Sequence, residues 1–326
     1  MKFARLLLAC VAAACLPAGA LAAKFNLKLG HAVNTTDGQH AAALKMAELV
    51  KERTKGDVVI TVFPSSTLGT DSAMISGARG GTIDIVSSGA SNYNGIVPNT
   101  AAFELPFVFR SAQHAYAVLD GPIGSGVLEE FSAQRLKGLA YWENGWRAFT
   151  NSKRPIRTPE DAKGLKIRST PNPYHIQAFK LLGMNPSPLA IAELYSALET
   201  GAFDAQEHPI NVTLSAKFYE VQKYLTVSNH IYSPLILVMN KAKYDALPPE
   251  YQAIVVEAAR EAARFQRALN ASNAGQWVDE LKKAGMQVVE QVDMAPFQKI
   301  VSAPIAKTFG EKHGAALLQA IETTTP

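Results

Sequence analysis

The chain is 326 residues long with a formal net charge of +4; the roughly 300 residues that follow an N-terminal leader exceed what one hydrophobic core sustains, so two lobes are expected. Lys2 and Arg5 lie in that leader, and without them the balance falls to about +2, interspersed along the chain, which gives no support to nucleic-acid binding. The two cysteines, Cys10 and Cys15, also lie in it, so a chain cut after the leader has neither disulfides nor thiolate chemistry.

The first 22 residues read as a secretory signal peptide. Lys2 and Arg5 precede an apolar run from Leu6 to Leu16, and Ala20-x-Ala22 supplies a small-residue cleavage site. The run is too short to cross a bilayer, which needs about 20 apolar residues. A lipoprotein cleavage at Cys10 or Cys15 is the weaker alternative, because the residues before each fit such a site poorly. Export to the periplasm with cleavage near Ala22 is therefore expected.

Beyond the leader, Phe25, Leu27 and Leu29 alternate with Asn26 and Lys28 as in a strand. Thr36-Asp37 caps a helix whose Ala43, Leu44, Ala47 and Val50 recur at helical spacing, with Gly56 as its stop. Val58 to Phe63 reads as a strand, Asp71 to Arg79 as a short helix and Ile83 to Val86 as a third strand. This alternation indicates βαβ units and a mainly parallel sheet. The rhythm returns in the strand Leu139 to Trp142, a single helical turn capped at Thr158 to Asp161, and the strand Leu165 to Arg168. Helices His175 to Leu182 and Ala192 to Thr200 follow, and Pro248-Pro249-Glu250 opens a long helix from Tyr251 to about Ala284.

Catalytic signatures are missing from the sequence. It contains no G-x-S-x-G elbow, no H-E-x-x-H and no G-x-x-x-x-G-K-[ST] phosphate loop. Gly121, Gly124 and Gly126 have the wrong spacing for a dinucleotide loop, and no two histidines are spaced as metal ligands on one helix. Neither a cofactor, a metal nor an enzymatic activity is expected.

Four segments carry a different message. Gly145-Trp146-Arg147-Ala148-Phe149-Thr150-Asn151 is followed by Gly164-Leu165-Lys166-Ile167-Arg168-Ser169, then by Gly183-Met184-Asn185-Pro186, and then by Gly201-Ala202-Phe203-Asp204-Ala205-Gln206-Glu207-His208-Pro209. In this order the chain resembles the substrate-binding subunits of TRAP transporters, the DctP family, with G-x-R-x-x-T-N, G-L-K-I-R, G-x-N-P and G-x-x-D-x-Q-E-N-P segments. The resemblance implies an α/β two-lobed periplasmic binding protein clamshell with mixed, mainly parallel sheets and a long helix in the C-terminal half bridging the lobes. Lobe I would comprise residues 23–145 plus about 234–270, and lobe II residues 146–233 plus about 271–326. It further implies capture of a small organic carboxylate by a monomer, and two membrane partners, a small and a large TRAP subunit. The same clamshell also serves sensory proteins that feed a receptor, and a periplasmic enzyme acting on a small acid is a remoter alternative.

By the same resemblance Arg168 is the carboxylate clamp. Its strand independently puts Leu165 and Ile167 on one side and the arginine on the other, and a guanidinium fork matches a carboxylate bidentately. Arg147 resembles the family's second cation, with a salt bridge across the hinge as the competing reading. Ser88, Gly89 and Asn92 follow the third strand, where open α/β sheets place ligands. Trp146, Phe103 and Tyr232 are candidate apolar walls, although each residue type is more often core. His208 replaces the family's usual asparagine; a neutral imidazole keeps one donor and one acceptor, and a protonated one strengthens a bond to a carboxylate.

Overall fold

A computed structural model describes residues 23–326; the expected leader, Cys10 and Cys15 lie outside the described residues. The strands are β1 (Phe25–Gly30), β2 (Val58–Phe63), β3 (Ile85–Gly89), β4 (Leu136–Asn151), β5 (Lys166–Ser169), β6 (Asn185–Pro188), β7 (Ala205–Pro209), β8 (Tyr224–Thr226), β9 (Tyr232–Asn240) and β10 (Gln287–Val289). The helices are α1 (Gly38–Arg53), α2 (Asp71–Gly80), α3 (Ala112–Asp120), α4 (Pro122–Glu130), α5 (Pro159–Ala162) and α6 (Pro173–Leu181), then α7 (Ile191–Glu199), α8 (Ile210–Ser215), α9 (Lys241–Asp245), α10 (Pro249–Lys283), α11 (Ala295–His313) and α12 (Ala316–Thr323).

Local chemistry sets the boundaries. Asp37 caps α1 by accepting from the Gln39 amide, and Thr70 caps α2 by accepting from Ala73. Thr158 and Asp161 form a capping box around the single turn α5. Pro249 occupies the first position of α10, where its missing N–H costs nothing.

The sheet order is β2-β1-β3-β9-β4-β7-β5-β6, with β8 pairing both β4 and β10. Within each lobe the βαβ units give parallel pairs: β1 with β2 and β3, β5 with β6 and β7, and β8 with β10. Every antiparallel pairing among the described residues involves β4, which runs between the lobes, or β9, which brings the chain back from the second lobe into the first-lobe sheet. Residues 136–146 of β4 pair with β9 in the first lobe, and 147–151 pair with β7 in the second. The transfer passes a register shift between Glu143 and Gly145. Gly145 has φ +127°, and a β-carbon there would lie 3.1 Å from the Pro209 Cβ. A bulge of this shape re-aims a strand and suits glycine alone.

The second bridge is α10, 35 residues long, or about 50 Å at 1.5 Å per residue. Its buried Val255, Ala258, Ala259 and Ala262 share a core with Met46 and Val50 of α1 and Leu29 of β1. Farther along, the helix meets α8 and β10 of the second lobe. Small side chains let it lie close to the sheet, and the Trp142 Nε1 donates to the Ala259 carbonyl at 2.9 Å.

The chain's end departs from the expected division at 271. β10 pairs β8 in the second lobe and α11 packs on α6, but α12 returns to α4 and the turn Pro98–Glu104 of the first lobe. Leu318 and Ile321 find apolar cover there. The His114 Nε2 bonds the Ile321 carbonyl at 2.8 Å, and Arg110 donates to the carbonyls of Glu322 and Thr324. Those contacts satisfy the open end of the last helix.

Candidate functional site

Between the lobes lies a cavity of about 270 Å³. Ala32 and Val33 after β1, Asp71 after β2, and Ser88, Gly89 and Asn92 at the end of β3 line it from the first lobe. Arg168 near the end of β5, Leu189 after β6 and His208 near the end of β7 line it from the second. The cavity thus sits beyond the carboxyl ends of both sets of parallel strands, where open α/β sheets place ligands. The lobes also touch each other directly: the Asp37 Oδ2 accepts from the Asn211 Nδ2 at 3.1 Å and the Ser215 Oγ at 3.2 Å, and the Asn34 Nδ2 donates to the Ser215 carbonyl at 2.6 Å.

Arg168 is 4% exposed. Its Nε donates to the Leu189 carbonyl at 2.8 Å and its Nη1 lies 3.3 Å from the His208 Nε2. None of the salt bridges among the described residues includes it. Burial first, and then the charge of Arg147, lower its pKa to about 10, which leaves it cationic at neutral pH. A buried charge normally has a charged partner. This one faces a cavity instead.

Arg147 has the opposite surroundings. Its Nε and Nη2 make an ion pair with the Glu207 carboxylate, Nη2 to Oε1 at 2.7 Å, and both side chains are at most 2% exposed. The pair joins neighbouring strands β4 and β7 of one lobe rather than crossing the hinge. Burial alone would raise the Glu207 pKa, but Arg147 and the nearby His230 ring, its Nε2 3.6 Å from Oε2, outweigh it and hold the carboxyl well below its usual range. His230 is stacked on Phe149 at 4.1 Å. Arg147 therefore lines the cavity as a neutralised group, with its Nη1 reaching the Ser233 Oγ at 3.4 Å.

His208 is buried at 5% exposure. Burial, followed by the charges of Arg147 and Arg168, pushes its pKa well below the ordinary histidine value. The ring is neutral at neutral pH, so the protonated form considered from sequence does not operate there.

Two acids complete the cavity. The Asp71 Oδ1 accepts from the Ser88 Oγ at 2.6 Å, Ser88 accepts from the Asn92 Nδ2 at 2.9 Å, and burial raises the Asp71 pKa. Glu104 is 1% exposed and accepts from the hydroxyls of Ser91 and Ser233.

Six of the nine sequence candidates thus meet at one cavity: Arg168, Arg147, His208, Ser88, Gly89 and Asn92. Trp146, Phe103 and Tyr232 do not. Phe103 packs edge-on against Tyr141 in the core, and Tyr232 sits among Phe109, Tyr116 and Trp146 with its hydroxyl donating to Glu143. These rings bury one another beside the hinge, and the apolar part of the cavity wall comes from Val33, Leu189, Ile191, Val212 and Leu235 instead. Sequence reasoning missed Asp71, Glu104, Asn144 and Gln39. Asp71 carried one signal, its place in the first turn of a helix after a strand. Glu104 carried none, lying between Phe103 and Leu105.

Among the described residues no group of three or more His, Cys, Asp or Glu side chains is placed to hold a metal, and no helix is long and apolar enough to cross a membrane.

The likenesses to known proteins run along nearly the whole chain. It is 47% identical over 299 residues to the 2,3-diketo-L-gulonate-binding periplasmic protein YiaO of Escherichia coli, covering 91% of each chain. A TRAP periplasmic solute-binding protein from Polaromonas, solved with D-erythronate, superposes with a TM-score of 0.90 at 38% identity, over 93% of this chain and 99% of that one. One from Sulfurospirillum deleyianum, solved with succinate, gives 0.88 at 30% identity, over 93% and 100%. The family model described as bacterial extracellular solute-binding protein, family 7, matches residues 29–312. With its two lobes, its cavity at the strand ends and these likenesses, the chain belongs to that family, DctP.

Proposed function

We propose that this protein captures a small hydroxylated monocarboxylate in the periplasm and delivers it to a TRAP-type transporter. The observation that carries the reading is the guanidinium of Arg168 on the cavity wall, buried and without a salt bridge. A ligand carboxylate supplies the missing charge through paired N–H donors. Closure follows from contacts that form only when both lobes meet the ligand, because a ligand held equally in both states shifts nothing.

Asp71 and Glu104 narrow the ligand class. Both are acceptors on the same cavity as Arg168, so they favour hydroxyl donors and oppose a second carboxylate. A like charge at about 4 Å costs about 4 kcal/mol at an effective dielectric of 20. Two relatives favour a sugar acid, one named for binding 2,3-diketo-L-gulonate and one solved with D-erythronate, while a third, 30% identical, was solved with succinate.

On this reading the protein is exported after cleavage near Ala22, works as a monomer with one small and one large membrane subunit, and releases its ligand chemically unchanged. Titration calorimetry with D-galactonate, D-erythronate and succinate tests the binding claims. The hydroxy acids should bind more tightly than succinate. Replacing Arg168 by alanine removes two charge-assisted hydrogen bonds, each contributing about 1.5–3 kcal/mol, and should weaken binding by about 100-fold or more. Undiminished binding by the Arg168→Ala protein sinks the clamp, and preference for succinate sinks the ligand class.

A further inference from the structure

We infer that His208 is a positioning residue for Arg168: a neutral imidazole whose Nδ1 carries the proton and whose Nε2 lone pair holds the guanidinium, so that the ring offers no N–H to the ligand. The inference rests on the clamp reading of Arg168 for its effect on binding, and on hydrogen-bond chemistry alone for the proton.

An arginine is a donor at every nitrogen. The ring nitrogen 3.3 Å from the Arg168 Nη1 must therefore accept, which leaves Nε2 bare and puts the proton of a neutral ring on Nδ1. The other side of the ring agrees. Nδ1 meets the Gln206 Oε1, which only accepts; the Gln206 Nε2 donates to the Thr150 Oγ1 at 2.8 Å; and Thr150 donates to the Gln222 Oε1 at 3.0 Å. Turning the Gln206 amide over would place two donors face to face at Arg168, so one end of the chain fixes the assignment throughout. Gln222 in turn donates to the Val221 carbonyl at 3.0 Å, anchoring the series to backbone.

The charged groups around the ring agree as well. Arg147 and Arg168 both oppose a second proton, and Glu207 alone favours one. Of the five N–H bonds of Arg168, Leu189 takes the one on Nε and His208 takes one on Nη1. One on Nη1 and two on Nη2 remain for a carboxylate. The histidine thus narrows the directions from which Arg168 is approached, in place of contacting the anion as a donor.

Nitrogen NMR of the ligand-free protein labelled in its histidines, assigned with a His208→Gln variant, reads the proton directly. A proton on Nδ1 and none on Nε2 is the result expected from pH 8 to 6; an Nε2–H or a doubly protonated ring at pH 7 overturns the inference whatever the protein binds. Calorimetry with D-galactonate and D-erythronate reads the consequence. His208→Gln, which retains an acceptor, should stay within about threefold of wild type, whereas His208→Leu should lose about tenfold or more, the loss of one hydrogen bond to a charged group. Wild-type affinity in His208→Leu overturns the positioning role. Should neither acid bind the wild type, the proposed ligand class fails separately and the NMR result still decides the placement of the proton.

Discussion

The two buried arginines on either side of β7 share a residue type and a depth yet have opposite electrostatic surroundings. Arg147 on β4 receives the Glu207 carboxylate, and Arg168 on β5 receives only neutral acceptors, the Leu189 carbonyl and the His208 ring. Consecutive residues of one strand serve the two sites. A buried cation that has its anion is part of the framework; one that lacks it is waiting for something to arrive. The difference lies in the partners, and burial alone would have ranked the two alike.

Stability and binding should therefore separate. Glu207→Gln strands Arg147 without its anion, and breaking a buried pair by removing one partner costs about 3–5 kcal/mol; urea unfolding should register it. Arg168→Met removes a charge that has no anion, so the ligand-free protein should stay within about 1 kcal/mol of wild type while its ligand binding collapses. Equal stability losses in the two variants would erase the distinction between the sites.

Acid sharpens it next. Glu207 is depressed below its unfolded value, so its contribution is complete above about pH 4.5 and is lost only as pH falls through the depressed value. His31 acts in the same direction over a higher window: burial, then His40, lower its pKa from 6.5 to about 4. Between those values the unfolded chain binds a proton that the folded chain refuses, so stability falls as pH drops, by roughly 3 kcal/mol in all at 1.36 kcal/mol per unit. Urea titrations at pH 7, 5.5 and 4 should show that decline, and a His31→Asn variant should flatten it. Ligand affinity should meanwhile hold level from pH 8 to 6, because His208 stays neutral; a rise centred near the ordinary histidine value would restore the protonated donor.

The smallest expected effect concerns the junction that carries Arg147 but not Arg168. Gly145→Ala forces a side chain into φ +127°, at a cost of about 1–3 kcal/mol. Thermal unfolding should show the loss. A neutral outcome would mean that the bulge relaxes.

Much of this was legible beforehand. Alternation placed Arg168 opposite Leu165 and Ile167, and the spacing of Arg147, Thr150, Gln206 and Glu207 now has a physical account: they bond one another across β4 and β7. The long helix was read within two residues at its start and one at its end. What failed was tertiary. Leu139 to Trp142 read as a short strand, whereas Gly145 carries β4 through a bulge to Asn151. Trp146, Phe103 and Tyr232 read as walls because an aromatic ring says nothing about which neighbour it faces. Glu104 stayed hidden because its role comes from serines 13 residues before it and 129 residues after it.

Because β4 and α10 belong to both halves at once, and β9 rejoins the first lobe only after the strands β5 to β8 of the second, no cut in the chain yields two self-sufficient pieces: a fragment ending at Gly145 would lack β9 and the alanine face of α10. The molecule can flex around those shared members but cannot come apart along them. Melting should accordingly be a single event felt at both ends of the cleft, and damage to either half should be a fault of the whole.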